Sequence, residues 1–304
     1  MPKVPSWLRA RAYPGPALCP AARSCACKTS RSRGDDRIGE LRMVRHMRVL
    51  AVVAQKGGVG TTTLAAHIAA RWSTAAWPAL LVDADPQASA TRILLGGDAE
   101  PPTLADVWAG ASLLAAAIRP ALEWGVHVIP SALALANAER DLRPGAEWTM
   151  SRELAGLGDR YRWAVVDCPP NLGRLVLAAL VAADGVVTVT EPSLPSLASL
   201  EDVARTLAIV RQHYRPELAD LGVIVNRAGR TRESADRLAE LRGPSGPALV
   251  GVPIPEHAAL AAAIGVGVPV WELGGPAVAS VSATIASLAD LLRRRLAAIG
   301  RAKP

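Results

Sequence analysis

Residues 51–70 read AVVAQKGGVGTTTLAAHIAA. An apolar, β-branched run stops at Gln55, three glycines crowd the next five positions, and a helical pattern follows, with Leu64, Ile68 and Trp72 on one face. Strand, glycine-rich turn and helix in this order suit a phosphate. Successive backbone N–H groups of such a turn point inward as an anion nest, and the helix adds its positive end. Thr62 stands where a hydroxyl would meet Mg²⁺. One position departs from the pattern: a lysine ordinarily precedes the last hydroxyl residue of the loop, and here that position holds Thr61. Lys56 lies before the glycines instead. It is the only lysine between residues 47 and 302, in a stretch that otherwise uses arginine.

Outward from the loop, strand and helix signals alternate. Strands are expected over 48–55, 79–85, 125–131, 162–170, 184–192 and 221–227, with a last one over 248–255. Helices are expected over 62–72, 104–109, 146–157, 173–183, 197–213, 233–242, 258–264 and 282–299. This alternation predicts an α/β fold, a mostly parallel twisted sheet with helices on both faces. No internal repeat and no linker-like stretch divides residues 47–304, which are expected to form one domain.

The charge is uneven. Residues 1–46 hold ten of the 34 Lys/Arg and three of the 27 Asp/Glu, a net of +7; residues 47–304 hold 24 of each and are neutral. The high pI therefore comes from the tail and says nothing of a basic face on the remainder. The tail is rich in Pro, Arg, Ser and Ala without sustained period, so it is expected to be disordered. It reads either as a nucleic-acid-binding arm or as an over-extended start, with Met43 or Met47 the first residue of the folded part. No apolar run approaches the roughly eighteen residues of a membrane span, and no apolar segment marks a signal peptide. Cys19, Cys25, Cys27 and Cys168 fit neither a disulfide framework nor a zinc pattern. The expected compartment is a reducing cytoplasm.

The boxes along the chain resemble one family. QKGGVGTTT (55–63) is similar to the deviant Walker A box of the ParA/MinD ATPases, in which a signature lysine precedes two glycines. LLVDADPQASAT (80–91) resembles that family's second box, and TLADVWAG (103–110) and VIPSALALANAERDL (128–142) its middle region. WAVVDCPPNLGRLVLAAL (163–180) resembles its Walker B strand and switch, while GVIVNRAG (222–229) and GVPIPEHAALAAAIGVGVPVWEL (251–273) resemble its base-binding end. Pro-Gln after the acids and Cys-Pro-Pro after Walker B look like the ParA/Soj partition branch rather than MinD.

The resemblance implies a P-loop NTPase fold that holds ATP and Mg²⁺ at the C-terminal ends of the strands. It implies a nucleotide site made of Gly57, Gly58, Val59, Gly60, Thr61, Thr62 and Thr63, with Asn226 reading adenine and Pro253 lining the base. Thr62, Asp83 and Asp167 would hold or support the metal, Asp167 through water. Lys56 would reach the partner's phosphates across an ATP-sandwich homodimer, and Asp85 would orient the attacking water. Simpler readings stay open: Asp83 as a cap for the next helix, Asn226 as an Asx-turn, Pro169 and Pro170 as a plain turn. Thr61 cannot give the charged hydrogen bonds of the missing lysine, contributions of about 1.5–3 kcal/mol each. ATP binding is then expected to be weakened and hydrolysis slow or absent.

Two functions follow. One is a partition ATPase whose ATP-bound dimer coats nucleoid DNA without sequence preference, through Arg215, Arg230, Arg232 and Arg242, and is released by a ParB-like partner. The other is a non-hydrolysing scaffold that positions a pilus, polysaccharide or plasmid machine. Residues 285–300 look amphipathic, but a final helix docked on the sheet is expected there, with no stable membrane insertion.

Overall fold

The computed structural model describes residues 47–300 apart from residue 245; the side chains of residues 194–198 and 277 also lie outside the description. The expected basic tail, 1–46, falls outside the described residues. Seven strands form one sheet: β1 (Arg48–Val53), β2 (Leu80–Asp83), β3 (Arg119–Ala121), β4 (Val126–Ile129), β5 (Trp163–Asp167), β6 (Gly185–Thr190) and β7 (Ala219–Val225). Their order is β3-β4-β2-β5-β1-β6-β7. Every pairing is parallel except β3 with β4. The expected α/β fold, a mostly parallel sheet of P-loop type, is therefore what forms.

Among the described residues, ten α-helices accompany the sheet: α1 (Thr61–Trp72), α2 (Ser89–Leu95), α3 (Leu104–Trp108), α4 (Leu114–Ala117), α5 (Thr149–Ala155), α6 (Arg174–Ala182), α7 (Leu194–His213), α8 (Arg232–Arg242), α9 (Ala258–Val266) and α10 (Pro276–Ala298). Because strand side chains alternate faces, β1 feeds two cores. Val49, Ala51 and Val53 pack with residues of α3, α5, α6 and α7. Leu50, Val52 and Ala54 pack on the other side with α1, α9 and α10. A strand buried on both faces must be apolar at every position, which is why RVLAVV reads as a continuous run. The indole N–H of Trp72 donates to the Ala289 carbonyl at 2.7 Å and fastens the far end of α1 to α10. That helix is docked on the sheet as expected, and no helix of the described residues is long and apolar enough to cross a membrane.

Five elements differ from expectation. The segment 248–255 is no strand; it makes only isolated bridges, Val223 with Leu249 and Ala228 with Pro255. Pro253 and Pro255 have no N–H for a ladder, and Gly251 turns the chain just before them with φ of 71°. The span 146–157 divides into a 3₁₀ turn at Ala146–Trp148 and the short α5. The elements α2, α4 and β3 were not foreseen. The strand β3 is three residues long and contains Pro120, which an edge position tolerates.

Candidate nucleotide-binding site

β1 is central, with β5 and β6 as neighbours, so the loop after Val53 opens at the C-terminal edge of the sheet, where α/β folds bind ligands. Val59 is buried and anchors the loop in the α1-side core. Gly58 and Gly60 take left-handed φ values of 81° and 94°, which turn successive N–H groups toward one side. Gly60 is also the N-cap of α1 and supplies no side-chain acceptor. Among the described residues, the N–H groups of Gly57, Gly58, Val59 and Gly60 find no partner. With the first turn of α1, where Thr61, Thr62 and Thr63 sit half-exposed, they form a cradle of donors.

The acids face this cradle from two adjacent strands. Asp83 and Asp167 are register partners at the ends of β2 and β5, and both are fully buried. Burial pushes the Asp167 carboxyl well above the usual carboxylate range, the Asp83 charge pushes it further, and the nearby Thr62 hydroxyl offsets part of this. Neither Asp167 oxygen accepts a hydrogen bond of ordinary geometry. A buried, unpartnered carboxylate is costly unless a cation or protons answer it. No group of three or more His, Cys, Asp or Glu among the described residues could hold a metal ion by itself. The unpartnered Asp167 carboxyl with the Thr62 hydroxyl beside it fits Mg²⁺, which takes one or two protein oxygens and completes its shell with water and phosphate.

Asp83 is engaged within its own chain. One oxygen accepts from the Thr91 amide and hydroxyl, each at 2.7 Å, and the other from the Asp85 amide at 3.2 Å. Burial nevertheless raises its carboxyl above the ordinary value. Asp85 is half-exposed and accepts from the Gln87 amide at 2.8 Å, and its charge is felt at Asp167.

Lys56 is folded back within its own chain. Its ammonium pairs with Glu191 and lies 3.3 Å from the Ser193 hydroxyl, both between β6 and α7. The neighbouring Gln55 donates to Asp202 of α7 at 3.0 Å. Asn226 is 4% exposed and gives its amide to the Val59 carbonyl at 2.7 Å, so it braces the loop from behind. A Cβ on Gly60 would collide with that amide. Pro253 is half-buried. Cys168 is buried, and burial raises its thiol far above the usual range, so it is no nucleophile.

The arginines separate. Arg215 is pinned between Asp184 at 3.3 Å and Glu217 at 3.2 Å, with its side chain 23% exposed, because it ties the end of α7 to the start of β6. It is a structural ion pair rather than a free surface cation. Arg230, Arg232 and Arg242 are exposed. The helix α8 that carries two of them also carries Glu233, Asp236 and Glu240, so its face is mixed.

Three residues near the site were not read from the sequence. Arg227 donates to the Gly58 carbonyl at 2.7 Å. His67 lies one turn beyond Thr63, fully buried, with Nδ1–H donating to the Thr63 carbonyl at 2.6 Å and Nε2 accepting from the Val270 amide at 3.0 Å. A carbonyl only accepts and an amide N–H only donates, so the neutral tautomer is dictated. Glu139, in a 3₁₀ segment over Leu133–Arg140, accepts from the Arg174 amide at 2.7 Å and the Leu175 amide at 3.4 Å. It fills the N-terminus of α6, just after the loop that follows Asp167, where a Cβ on Gly173 would strike it.

Comparison with known proteins decides the family. A family described as AAA domain matches residues 47–220. The chromosome partitioning protein ParA of Caulobacter vibrioides is 31% identical over 231 residues, covering 74% of this chain and 86% of that protein. The chain belongs to the ParA/MinD family of P-loop ATPases. Another ParA/MinD relative, the sporulation initiation inhibitor protein Soj of Bacillus subtilis, is 32% identical over 182 residues, covering 59% of this chain and 72% of Soj. Among solved structures, the Mycobacterium smegmatis protein described as cobyrinic acid a,c-diamide synthase, with bound ATP analog and magnesium, superposes with a TM-score of 0.71 at 30% identity. That similarity covers 85% of this chain and 98% of the other.

Proposed function

We propose that this ParA/MinD protein is an ATP-dependent dimerising switch of the partition type with weakened hydrolysis. The observation that carries the reading is the cradle of unpartnered N–H groups at Gly57–Gly60 beside the buried, unpartnered Asp167. A polyanion with its cation answers both at once, and the mycobacterial relative holds an ATP analog with magnesium. The cradle would take the phosphates and Thr62 with Asp167 would hold the metal. When bound, the metal supplies charge neutralisation on the phosphoryl oxygens. Asn226 and Pro253 are the residues that the family resemblance assigns to adenine. Asp85 is free enough to orient a water. Lys56 must leave Glu191 before it can act on a partner's phosphates.

Thr61 offers a neutral hydroxyl where the family places a second cation, so the chain closes on ATP but turns it over slowly. DNA is held without sequence preference by Arg230, Arg232 and Arg242 once two copies combine, since residues 47–304 are net neutral. A ParB-like partner would release it, and the setting is the nucleoid in the cytoplasm. Slow turnover is also what a positioning scaffold for a pilus or polysaccharide machine would need, and Thr61 is the observation that favours that second reading.

The test uses ATP titration, sedimentation and phosphate release with random duplex DNA. ATP should be required both for dimers and for DNA binding, and high salt should remove the DNA. Thr61→Lys should tighten ATP about ten- to a hundredfold and raise phosphate release, while Lys56→Ala should abolish ATP-dependent dimers. DNA binding of equal strength without nucleotide would sink the switch. Hydrolysis by the natural chain as fast as by Thr61→Lys would sink the weakened-site argument.

A further inference from the structure

Arg227 is the one non-glycine residue besides Ala88 with a left-handed backbone among the described residues, at φ of 52°. L-residues rarely settle there, and such positions persist only where the surroundings over-determine them. The surroundings do so here. The Asn226 amide N–H donates to the Thr190 carbonyl at 2.8 Å, and the Ala228 N–H donates to the Ile254 carbonyl at 2.9 Å, so the chain is fixed on both sides of Arg227. The result of the twist is specific. Asn226 and Arg227, adjacent in sequence, cap two adjacent carbonyls of the loop: Val59 at 2.7 Å and Gly58 at 2.7 Å. The other contact of Arg227, to Glu256 at 3.8 Å with side chains 49% and 70% exposed, is a surface pair of little consequence.

The Gly58 carbonyl shares its peptide unit with the Val59 N–H, and the Val59 carbonyl with the Gly60 N–H. Both of these N–H groups are free. A donor on the carbonyl end of a peptide withdraws electron density and makes the N–H end a stronger donor, and a charged donor does so most. Thr61 has removed the cation from the front of the loop. Resting on the reading of this loop as a phosphate site, we propose that Arg227 is a positioning residue that charges the phosphate cradle from behind, through the Gly58–Val59 peptide, and so stands in for part of the missing lysine. The ligand class is a nucleoside di- or triphosphate, whose β-phosphate lies against the cradle; a nucleoside monophosphate gains nothing from it.

Two variants separate charge from backbone. Arg227→Asn keeps a residue that tolerates the left-handed region but removes the cation; Arg227→Lys keeps a cation. Binding of MgATP, MgADP and AMP is titrated calorimetrically on the full chain, with a melting curve of each protein without nucleotide. Arg227→Asn should weaken MgATP and MgADP about five- to tenfold, leave AMP unchanged and leave the nucleotide-free melting temperature equal or higher. Arg227→Lys should recover most of the loss. Unchanged MgATP affinity in Arg227→Asn overturns the proposal, as does an equal loss for AMP and ATP, or equal weakening by Asn and Lys. Natural protein that binds no MgATP would overturn the nucleotide reading itself, which is a different failure and is visible before any variant is made.

Discussion

Acidification should loosen the structure behind the loop, and His67 sets the size of the effect. Burial is the first cause that pulls this imidazole down from 6.5 to about 4, with the bond to the Thr63 carbonyl acting the other way. The ring is 0% exposed and both nitrogens are engaged in the neutral form, so a proton on Nε2 would face the Val270 N–H. A folded-state pKa below the unfolded one means that the unfolded chain binds more protons between the two values. The stabilisation is complete above about pH 6.5 and is lost as pH falls toward 4. A shift of this size corresponds to about 3 kcal/mol in full, of which about 2 kcal/mol is lost by pH 5. For a body of this size that is about 4–8 °C in melting temperature. Asp83 and Asp167 work in the opposite sense: their carboxyls are raised in the folded state, so acid favours folding through them. The assay is therefore a comparison, melting curves from pH 8 to pH 5 without nucleotide for the natural chain and for His67→Gln. The variant begins lower because it disturbs the packing between Trp124 and Trp271, whose ring centroids lie 5.2 and 5.6 Å from the imidazole. It should have a shallower downward slope, what remains coming from His127, whose imidazole burial also pulls down. Parallel slopes in the two proteins would refute the argument.

Asp167→Asn should raise the melting temperature of the nucleotide-free protein at pH 8, by about 2–4 °C for each 1 kcal/mol of buried repulsion relieved, and should lose the further rise that MgATP gives the natural chain; a lower melting temperature without nucleotide would show that the carboxylate is already satisfied. Deleting residues 1–46 should leave melting temperature and ATP-dependent sedimentation unchanged, since residues 47–300 hold the sheet and both cores; lost dimers or a large drop in melting would make that segment structural.

Sequence reasoning carried the fold because β1, β5 and β6 are buried on both faces and so are rich in valine and other small or apolar residues. The loop was legible for a related reason: glycine at 58 and 60 is demanded by positive φ. It failed where partners far apart in the chain decide the structure. Asp167 could be named as a metal acid, but that it lacks a hydrogen-bond partner while Asp83 is engaged with Thr91 depends on how α2 returns to the sheet. The segment of α2 itself has no cap signal, its N-cap being Ala88 with left-handed φ of 53°. Arg215 read as surface charge because nothing local announces Asp184, 31 residues away. Arg227 was passed over for a similar cause, since its meaning lies in the Gly58 carbonyl, 169 residues earlier. The prolines of 248–255 were visible and should have counted against a strand.

Gly173 has an ordinary backbone, φ −82° and ψ −163°, that any residue could adopt. Glycine is favoured there by Glu139, whose carboxylate occupies the space of a Cβ while it caps α6. The two positions therefore do not evolve independently. A side chain at 173 is admitted by swinging the Glu139 carboxylate aside or by shortening position 139, and either leaves the α6 amides bare until something else covers them. Inheritance across the family should show glycine at 173 travelling with a long acid at 139, and exchange of one without the other as the rarer path.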